Sequence, residues 1–216
     1  MSIRVILADD HTMLRHGLSR SFEMEKDIDI IGQTKDGHST IELVEELSPD
    51  LVVMDIGMPG LNGIETTRKV KKDYPNVKVV GLSMHSSDKY IREMFRAGAS
   101  GYLLKDCSFE ELVEAIKTVA KGKMYISPSI SDTVVKDYLT QSDEQISAFT
   151  VLSHREREVL QLLTEGKTTK QVARDLHISP KTVEVHRLRI MNKLEIDNIA
   201  QLTKYAIQEG LTQPEP

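Results

Sequence analysis

The 216 residues predict an α/β fold: a doubly wound parallel sheet of five strands, followed by a small all-α domain of four helices. Three observations carry that prediction. Five short apolar runs alternate with helix-length segments through the first 120 or so residues. A polar stretch then breaks the pattern, and from residue 150 onward every signal is helical.

The apolar runs occupy residues 3–9, 28–34, 51–55, 77–84 and 101–106. They are mostly unbroken rather than alternating, as strands of a parallel sheet covered on both faces must be. Helix-length segments between them include "STIELVEEL" (39–47) and "KYIREMFRAGA" (89–99). "SFEELVEAIKTVAKG" (108–122) starts with Ser108 and Glu111 at capping-box spacing and stops at Gly122. Strand then helix, five times over, is the pattern of an open α/β sheet. Residues 127–149 are rich in Ser, Asp and Gln, with "VVKDYL" their one helix-like piece, and read as a linker.

In the rear part, "LSHREREVLQLLTEG" places Ser153 and Glu156 in a capping box and ends at Gly166. Thr168 and Gln171 form a second candidate box. Ser179 as N-cap with Pro180 at the first helical position starts a third helix. "NIAQLTKYAIQEG" is the fourth, closing near Gly210. The predicted domains are residues 1–124, a linker over 125–148, and residues 149–216.

Composition narrows the class. Hydrophobic residues make up 39% and charged residues 28% of the chain, ordinary for a globular protein, with few aromatics and no Trp. The lone Cys107 has no partner for an internal disulfide, which fits a reducing cytosol. There is no signal-peptide pattern, and no run nears the roughly 18 apolar residues of a membrane span. A cytoplasmic protein without a membrane partner is expected. Charge is uneven: residues 150–216 carry ten Lys and Arg against nine Asp and Glu, so the rest holds a net −6 of the overall −5. An acidic front and a mildly basic back suggest two separate jobs.

The front job lies at the strand ends. In doubly wound sheets, ligands collect at the carboxyl ends of strands beside the topological switch point. Asp9 and Asp10 end the first run and Asp55 the third; Ser83 lies near the end of the fourth, and Lys105 at the end of the fifth. Converging carboxylates repel unless a cation sits among them, and a hard cation with oxygen ligands, Mg²⁺ first, answers that need. A single Asp at a strand end serves equally as a turn or cap residue. The set of five is what points to a site.

"ILADDH", "VVMDIGMPGLNGIE", "GLSMH" and "AGASGYLLKD" together resemble the receiver domain of bacterial two-component response regulators, a flavodoxin-like fold. The resemblance runs from about residue 3 to 120. It implies that Asp55 is the phosphoacceptor, fed by a sensor histidine kinase. It implies further that Asp9, Asp10, Asp55 and the carbonyl of Gly57 hold Mg²⁺, and that Ser83 and Lys105 contact the phosphoryl group. Tyr102 would be the switch aromatic, rotating inward once Ser83 moves to a phosphate oxygen. Two residues depart from the receiver pattern: Asp106 follows Lys105 where proline is common, so a trans bond is expected, and Met84 follows Ser83 where a small residue is common, so narrower access to the site is expected.

The rear job lies in "TTKQVARDLHISPKTVEVHRLRIMNKL", which reads as helix, tight turn, helix. Val172, Ala173 and Leu176 are expected to pack on Val183 and Ile190. Over 180–193, Lys181, Arg187, Arg189 and Lys193 face only Glu184 in charge, which suits a helix entering the major groove. Taken alone, such a helix is as readily a solvated surface. The stretch from 150 to 212 resembles the LuxR-type helix-turn-helix, and a receiver joined to it resembles the NarL/FixJ family. That resemblance implies DNA contacts from Lys181, Thr182, Glu184, Val185, His186, Arg187, Arg189 and Lys193, with His186 open to a packed or a phosphate-facing role. Ile199, Leu202 and Ala206 share one face of the last helix, which serves either a dimer or the packing of its own domain.

The expected protein is a phosphorylation-controlled transcriptional regulator, a homodimer on promoter half-sites when phosphorylated, with RNA polymerase as a further partner. It is not expected to be an enzyme beyond slow self-dephosphorylation. A Mg²⁺-dependent phosphoryl hydrolase and a regulator switched without phosphate are the rivals.

Overall fold

A computed structural model describes residues 2–131 and 148–212, and the helix-like "VVKDYL" stretch lies outside them. The chain divides into two compact units, Met1–Gln141 and Ser142–Pro216. The first unit alternates strands and helices: β1 (Ile3–Ala8), α1 (Thr12–Phe22), β2 (Ile28–Thr34), α2 (Gly37–Leu47), β3 (Leu51–Asp55), α3 (Gly63–Asp73), β4 (Lys78–Ser83), α4 (Asp88–Arg96), β5 (Gly101–Leu104), α5 (Phe109–Ala120) and β6 (Tyr125–Ile126).

All neighbouring strands are parallel, in the order β2-β1-β3-β4-β5-β6. The order reverses at β1, so the switch point lies between β1 and β3, the two strands that lead into the acids. The sheet has six strands where five were predicted. Tyr125 and Ile126, placed by the sequence at the start of the linker, pair with Gly101 and Tyr102 as an edge strand. Two residues without an apolar run carry no strand signal of their own; the open edge of β5 makes them one.

Both faces of the sheet are covered. Val5, Leu7, Val53, Val80, Leu82 and Leu103 point into one core with Leu112, Ile116 and Val119 of α5. Their strand neighbours of opposite parity, Ile6, Val52, Met54 and Val79, are fully buried as well. That is why the runs read as unbroken. Asp36, Asn62 and Ser108 cap α2, α3 and α5 by accepting backbone N–H groups. The box expected at Ser108 forms by half, because the Glu111 carboxylate turns to the Ser127 hydroxyl instead.

The second unit is helical: α6 (Ala148–Val151), α7 (His154–Thr164), α8 (Thr169–Asp175), α9 (Pro180–Leu194) and α10 (Ile199–Glu209). The one-turn α6 adds to the four helices predicted. Both predicted capping boxes, Ser153 with Glu156 and Thr168 with Gln171, are complete. The turn between α8 and α9 lacks glycine, and His177 takes the left-handed position there at φ 52°. Val172, Ala173, Leu176, Val183 and Ile190 share one core with Val159 and Leu160, as the helix-turn-helix pattern requires. Leu202 and Ala206 lie in the same core, whereas Ile199 is 46% exposed. Of the two uses open to that face of α10, packing in its own domain takes Leu202 and Ala206. No helix among the described residues is long and apolar enough to cross a membrane.

Candidate functional site

The acids meet at the carboxyl edge of the sheet. Asp55 is the last residue of β3 and only 2% exposed; Asp9 lies just beyond β1 and is 4% exposed. The chain leaves Asp55 through a tight turn in which Gly60 has φ 76°. It re-enters as α3 through Gly63, whose N–H donates to the Ile56 carbonyl. A Cβ at Gly63 would come within 2.0 Å of the Asp55 carbonyl oxygen, so only glycine lets α3 start against the phosphoacceptor candidate.

Lys105 reaches this pocket from the loop after β5. Its Nζ is 2.8 Å from Asp55 Oδ2 and 2.9 Å from Asp9 Oδ2, and its side chain is 5% exposed. One buried ammonium therefore bridges two buried carboxylates. The Gly57 N–H donates to the other Asp55 oxygen at 3.1 Å. Burial is the largest influence on Asp55 and raises its carboxyl above the ordinary 3.8, against the opposing pull of Lys105 and the Gly57 N–H.

His11 joins the cluster, which the sequence reading missed. Its Nδ1 lies 2.8 Å from Asp10 Oδ1, 3.2 Å from Asp9 Oδ1 and 3.8 Å from Asp55 Oδ2. The signal was available, since His11 directly follows the acid pair. Ligand atoms of Asp9, Asp10, His11 and Asp55 all lie within 4.8 Å of one another. Asp9 Oδ2, Asp10 Oδ1 and Asp55 Oδ2 are shielded from solvent and complete no hydrogen bond, although each faces a cationic or imidazole nitrogen at close range. Oxygen donors in that condition fit a hard divalent cation such as Mg²⁺.

Ser83 ends β4 and is 1% exposed, with its Oγ accepting the His85 N–H at 3.0 Å. Tyr102, one strand over, is fully buried, and its hydroxyl donates to the His85 carbonyl at 2.7 Å. The ring already lies inward, contrary to the expectation that it swings in only when Ser83 moves. Gly81 is its partner in the β4–β5 register; a Cβ there would crowd Met94 at 3.1 Å but meet the Tyr102 ring at an ordinary contact distance of 3.5 Å. His85 stacks on Tyr90 with ring centroids 4.2 Å apart, and burial lowers its pKa. Met84 is 69% exposed and stands in solvent instead of packing over the pocket. There is no cis peptide bond among the described residues, so Lys105–Asp106 is trans as expected.

The raised Asp55 carboxyl makes a testable link to stability. Between 3.8 and the raised value the native state holds more protons at this site than the unfolded chain. Stability in metal-free buffer therefore falls as pH rises through that window. Asp55→Asn is expected to flatten this part of a melting-temperature profile; an unchanged slope would assign the dependence elsewhere.

On the second unit, α9 presents its predicted residues unevenly. Lys181, Val185 and Arg189 are exposed, and Thr182, Glu184, His186 and Arg187 are partly so. Glu184 accepts the Thr169 hydroxyl at 2.7 Å, tying α9 to α8, and lies 3.6 Å from Arg187. His186 is partly exposed, with a buried Nδ1 that makes no hydrogen bond, and burial lowers its pKa. Lys193 donates to Glu156 at 2.7 Å, against a carboxylate that is 4% exposed and already caps α7. Its ammonium fastens α9 to the start of α7. An exposed residue the sequence reading passed over, Leu188, stands 59% exposed on the same helix.

Residues 5–117 match the response regulator receiver domain, and residues 150–206 match the bacterial regulatory proteins of the luxR family. The chain belongs to the two-component response regulators of the NarL/FixJ family, a receiver joined to a LuxR-type DNA-binding domain. The transcriptional regulatory protein DegU of Brevibacillus brevis is 37% identical over 222 residues, covering 96% of this chain and 94% of that protein. Two solved structures of the response regulator RcsB, one a complex with DNA and one of two dimers bound to two parallel DNAs, are each 25% identical with a TM-score of 0.60. Each covers 95% of this chain and 98% of its own.

Proposed function

We propose that Asp55 accepts a phosphoryl group from a phosphohistidine of a sensor histidine kinase, and that the modified receiver controls how α9 meets DNA. The observation that carries this reading is the single buried ammonium of Lys105 held against both Asp55 and Asp9. In the transfer an Asp55 oxygen forms the new O–P bond as the donor's P–N bond breaks, and the imidazole leaves with the electron pair. Asp9, Asp10, Asp55 and the Gly57 carbonyl would hold Mg²⁺, which when bound neutralises charge on the phosphoryl oxygens. Lys105 remains beside Asp55 to offset the rest, and Ser83 turns its hydroxyl from the His85 N–H toward a phosphoryl oxygen. Tyr102 is already inside, so its part is to hold the His85 backbone through that exchange.

The phosphoryl group adds about −1.5 to −2 charge beside Asp9 and Asp10, a change local in origin that biases the receiver between two packings. On the output side, Lys181, Thr182, Val185, Arg187 and Arg189 face the duplex, Glu184 sets their register from α8, His186 supports the helix from its packed side, and Lys193 stays on Glu156. A charge of only +1 over residues 150–216 favours two copies on half-sites about 10 bp apart. The RcsB dimers bound to DNA support two copies, and RNA polymerase is a further partner in this reading. The receiver in this reading is a phosphorylated switch with at most slow self-dephosphorylation.

Mass and DNA affinity, measured before and after a small phosphodonor with Mg²⁺ and with Asp55→Ala in parallel, test the scheme. Phosphorylated wild type is expected to double its mass and bind a duplex more tightly. Its log K should fall against log[salt] by about 0.9 per phosphate neutralised, more steeply for the dimer. Equal mass and affinity with and without the donor would refute the scheme.

A further inference from the structure

We infer that Leu188, with Val185, forms an apolar ridge on α9 that selects thymine in the bound duplex by contact with its 5-methyl group. This rests on the reading of α9 as the DNA-facing helix.

The starting point is a misplaced hydrophobe. Leu188 is 59% exposed and Val185 39% exposed, while the apolar residues that anchor the same helix, Val183 and Ile190, are fully buried. At 3.6 residues per turn, Lys181, Val185, Leu188 and Asn192 (i, i+4, i+7 and i+11) fall on one stripe, directly opposite Val183 and Ile190. The outward stripe of this helix is therefore apolar at its middle. Val185 and Leu188 meet each other as successive neighbours along it, three residues apart.

What surrounds the ridge identifies its occupant. Lys181 is exposed at its N-terminal end and Arg189 is exposed alongside, while Arg187 lies partly exposed on the far flank. The one acid near the stripe, Glu184, is occupied by the Thr169 hydroxyl. An apolar ridge bordered by cations suits a polyanion that carries apolar groups at the floor of a groove. Duplex DNA has one such group in its major groove, the thymine C5-methyl, flanked by phosphates on both walls. An apolar protein surface would offer Lys181 and Arg189 no anionic partner; a duplex offers each a phosphate.

Leu188 cannot donate or accept a hydrogen bond, so it carries no information about purine edges. Its discrimination is between thymine and the bases that lack a methyl, and it is small in energy but specific in kind. Burying one methyl group is worth about fourfold in affinity.

The test uses the full-length protein treated with phosphodonor and Mg²⁺. Duplexes are selected from a random library by wild type and by Leu188→Ala, and each thymine of the wild-type consensus is then replaced singly by deoxyuridine. Leu188 is 59% exposed, so the alanine variant should melt close to wild type. Wild type is expected to lose about fourfold at one or two thymines per half-site. Leu188→Ala should bind the thymine and uracil duplexes equally, with an unchanged salt slope. Val185→Ala should lose sensitivity at the adjacent position. Strong selection with no uracil effect at any thymine overturns this inference and leaves the DNA-binding reading intact. A Leu188→Ala protein that keeps the full uracil effect overturns it also. Failure to enrich any sequence, with no salt-dependent binding, overturns both.

Discussion

Asp55→Ala protein incubated with a small phosphodonor and Mg²⁺ is expected to take up no label, while wild type is labelled at one site. The effect is the largest the structure implies, because the other two acids of the pocket are poor substitutes. Asp9 shares Lys105 with Asp55, and its Oδ1 already accepts the His11 N–H at 2.8 Å. Asp10 faces His11. Asp55 alone ends a strand, with one oxygen held by the Gly57 N–H and the other toward Lys105, so its carboxylate is presented in a single orientation. Intact-protein mass spectrometry reads the result directly. Label that persists on Asp55→Ala, and maps to Asp9 or Asp10, would move the phosphoacceptor off β3.

The second large effect belongs to Lys105. Lys105→Met keeps the length of the side chain and removes its charge, leaving Asp9 and Asp55 buried together without the ammonium between them. Losing one partner of a buried ion pair costs about 3–5 kcal/mol. Metal-free Lys105→Met should melt well below wild type, and saturating Mg²⁺ should restore much of the difference by occupying the same oxygens. Labelling by phosphodonor in Mg²⁺ should still fall by about 10²–10³-fold, the weight of one preorganised charge on a transferring group. Calorimetry with and without Mg²⁺ separates the two roles. A variant as stable as wild type in metal-free buffer would mean that the 2.8 and 2.9 Å contacts carry no net energy.

These two residues also show how far the chain could be read before it was folded. Asp55 was legible because its placement is local: an unbroken apolar run ends on an acid and turn formers follow at once. Lys105 was legible only as a strand-end residue. That its ammonium touches both Asp9 and Asp55 depends on β4 lying between β3 and β5, which no local pattern states. His11 went unread although it adjoins the acid pair, because its role depends on the direction in which α1 begins. Tyr102 was legible as an aromatic after Ser83, but its inward position shows only in the fold, where its hydroxyl reaches the His85 carbonyl beyond the end of β4.

The output domain divides in the same way. Capping boxes at Ser153 and Thr168 and the Ser179–Pro180 start are contacts between residues close in the chain, so spacing alone located them. The partner of Lys193 is distant in the chain, on α7, and spacing alone groups this lysine with the DNA-facing cations. Leu202 and Ala206 share a face with Ile199 by periodicity, yet the first two lie in their own core and the third does not.

By itself, the sequence determined the order of the main elements, the parallel character of the sheet, the helix starts at Ser108, Ser153, Thr168 and Ser179, and the strand-end set Asp9, Asp10, Asp55, Ser83 and Lys105, since each follows from backbone preferences and burial pattern over a few residues. Tertiary structure decided which charges meet, which apolar faces are covered and which stay open, including the sixth strand, the inward Tyr102 and the outward Leu188. The physical reason is that periodicity states that a face is apolar or charged, whereas what that face meets is set by the path of the rest of the chain.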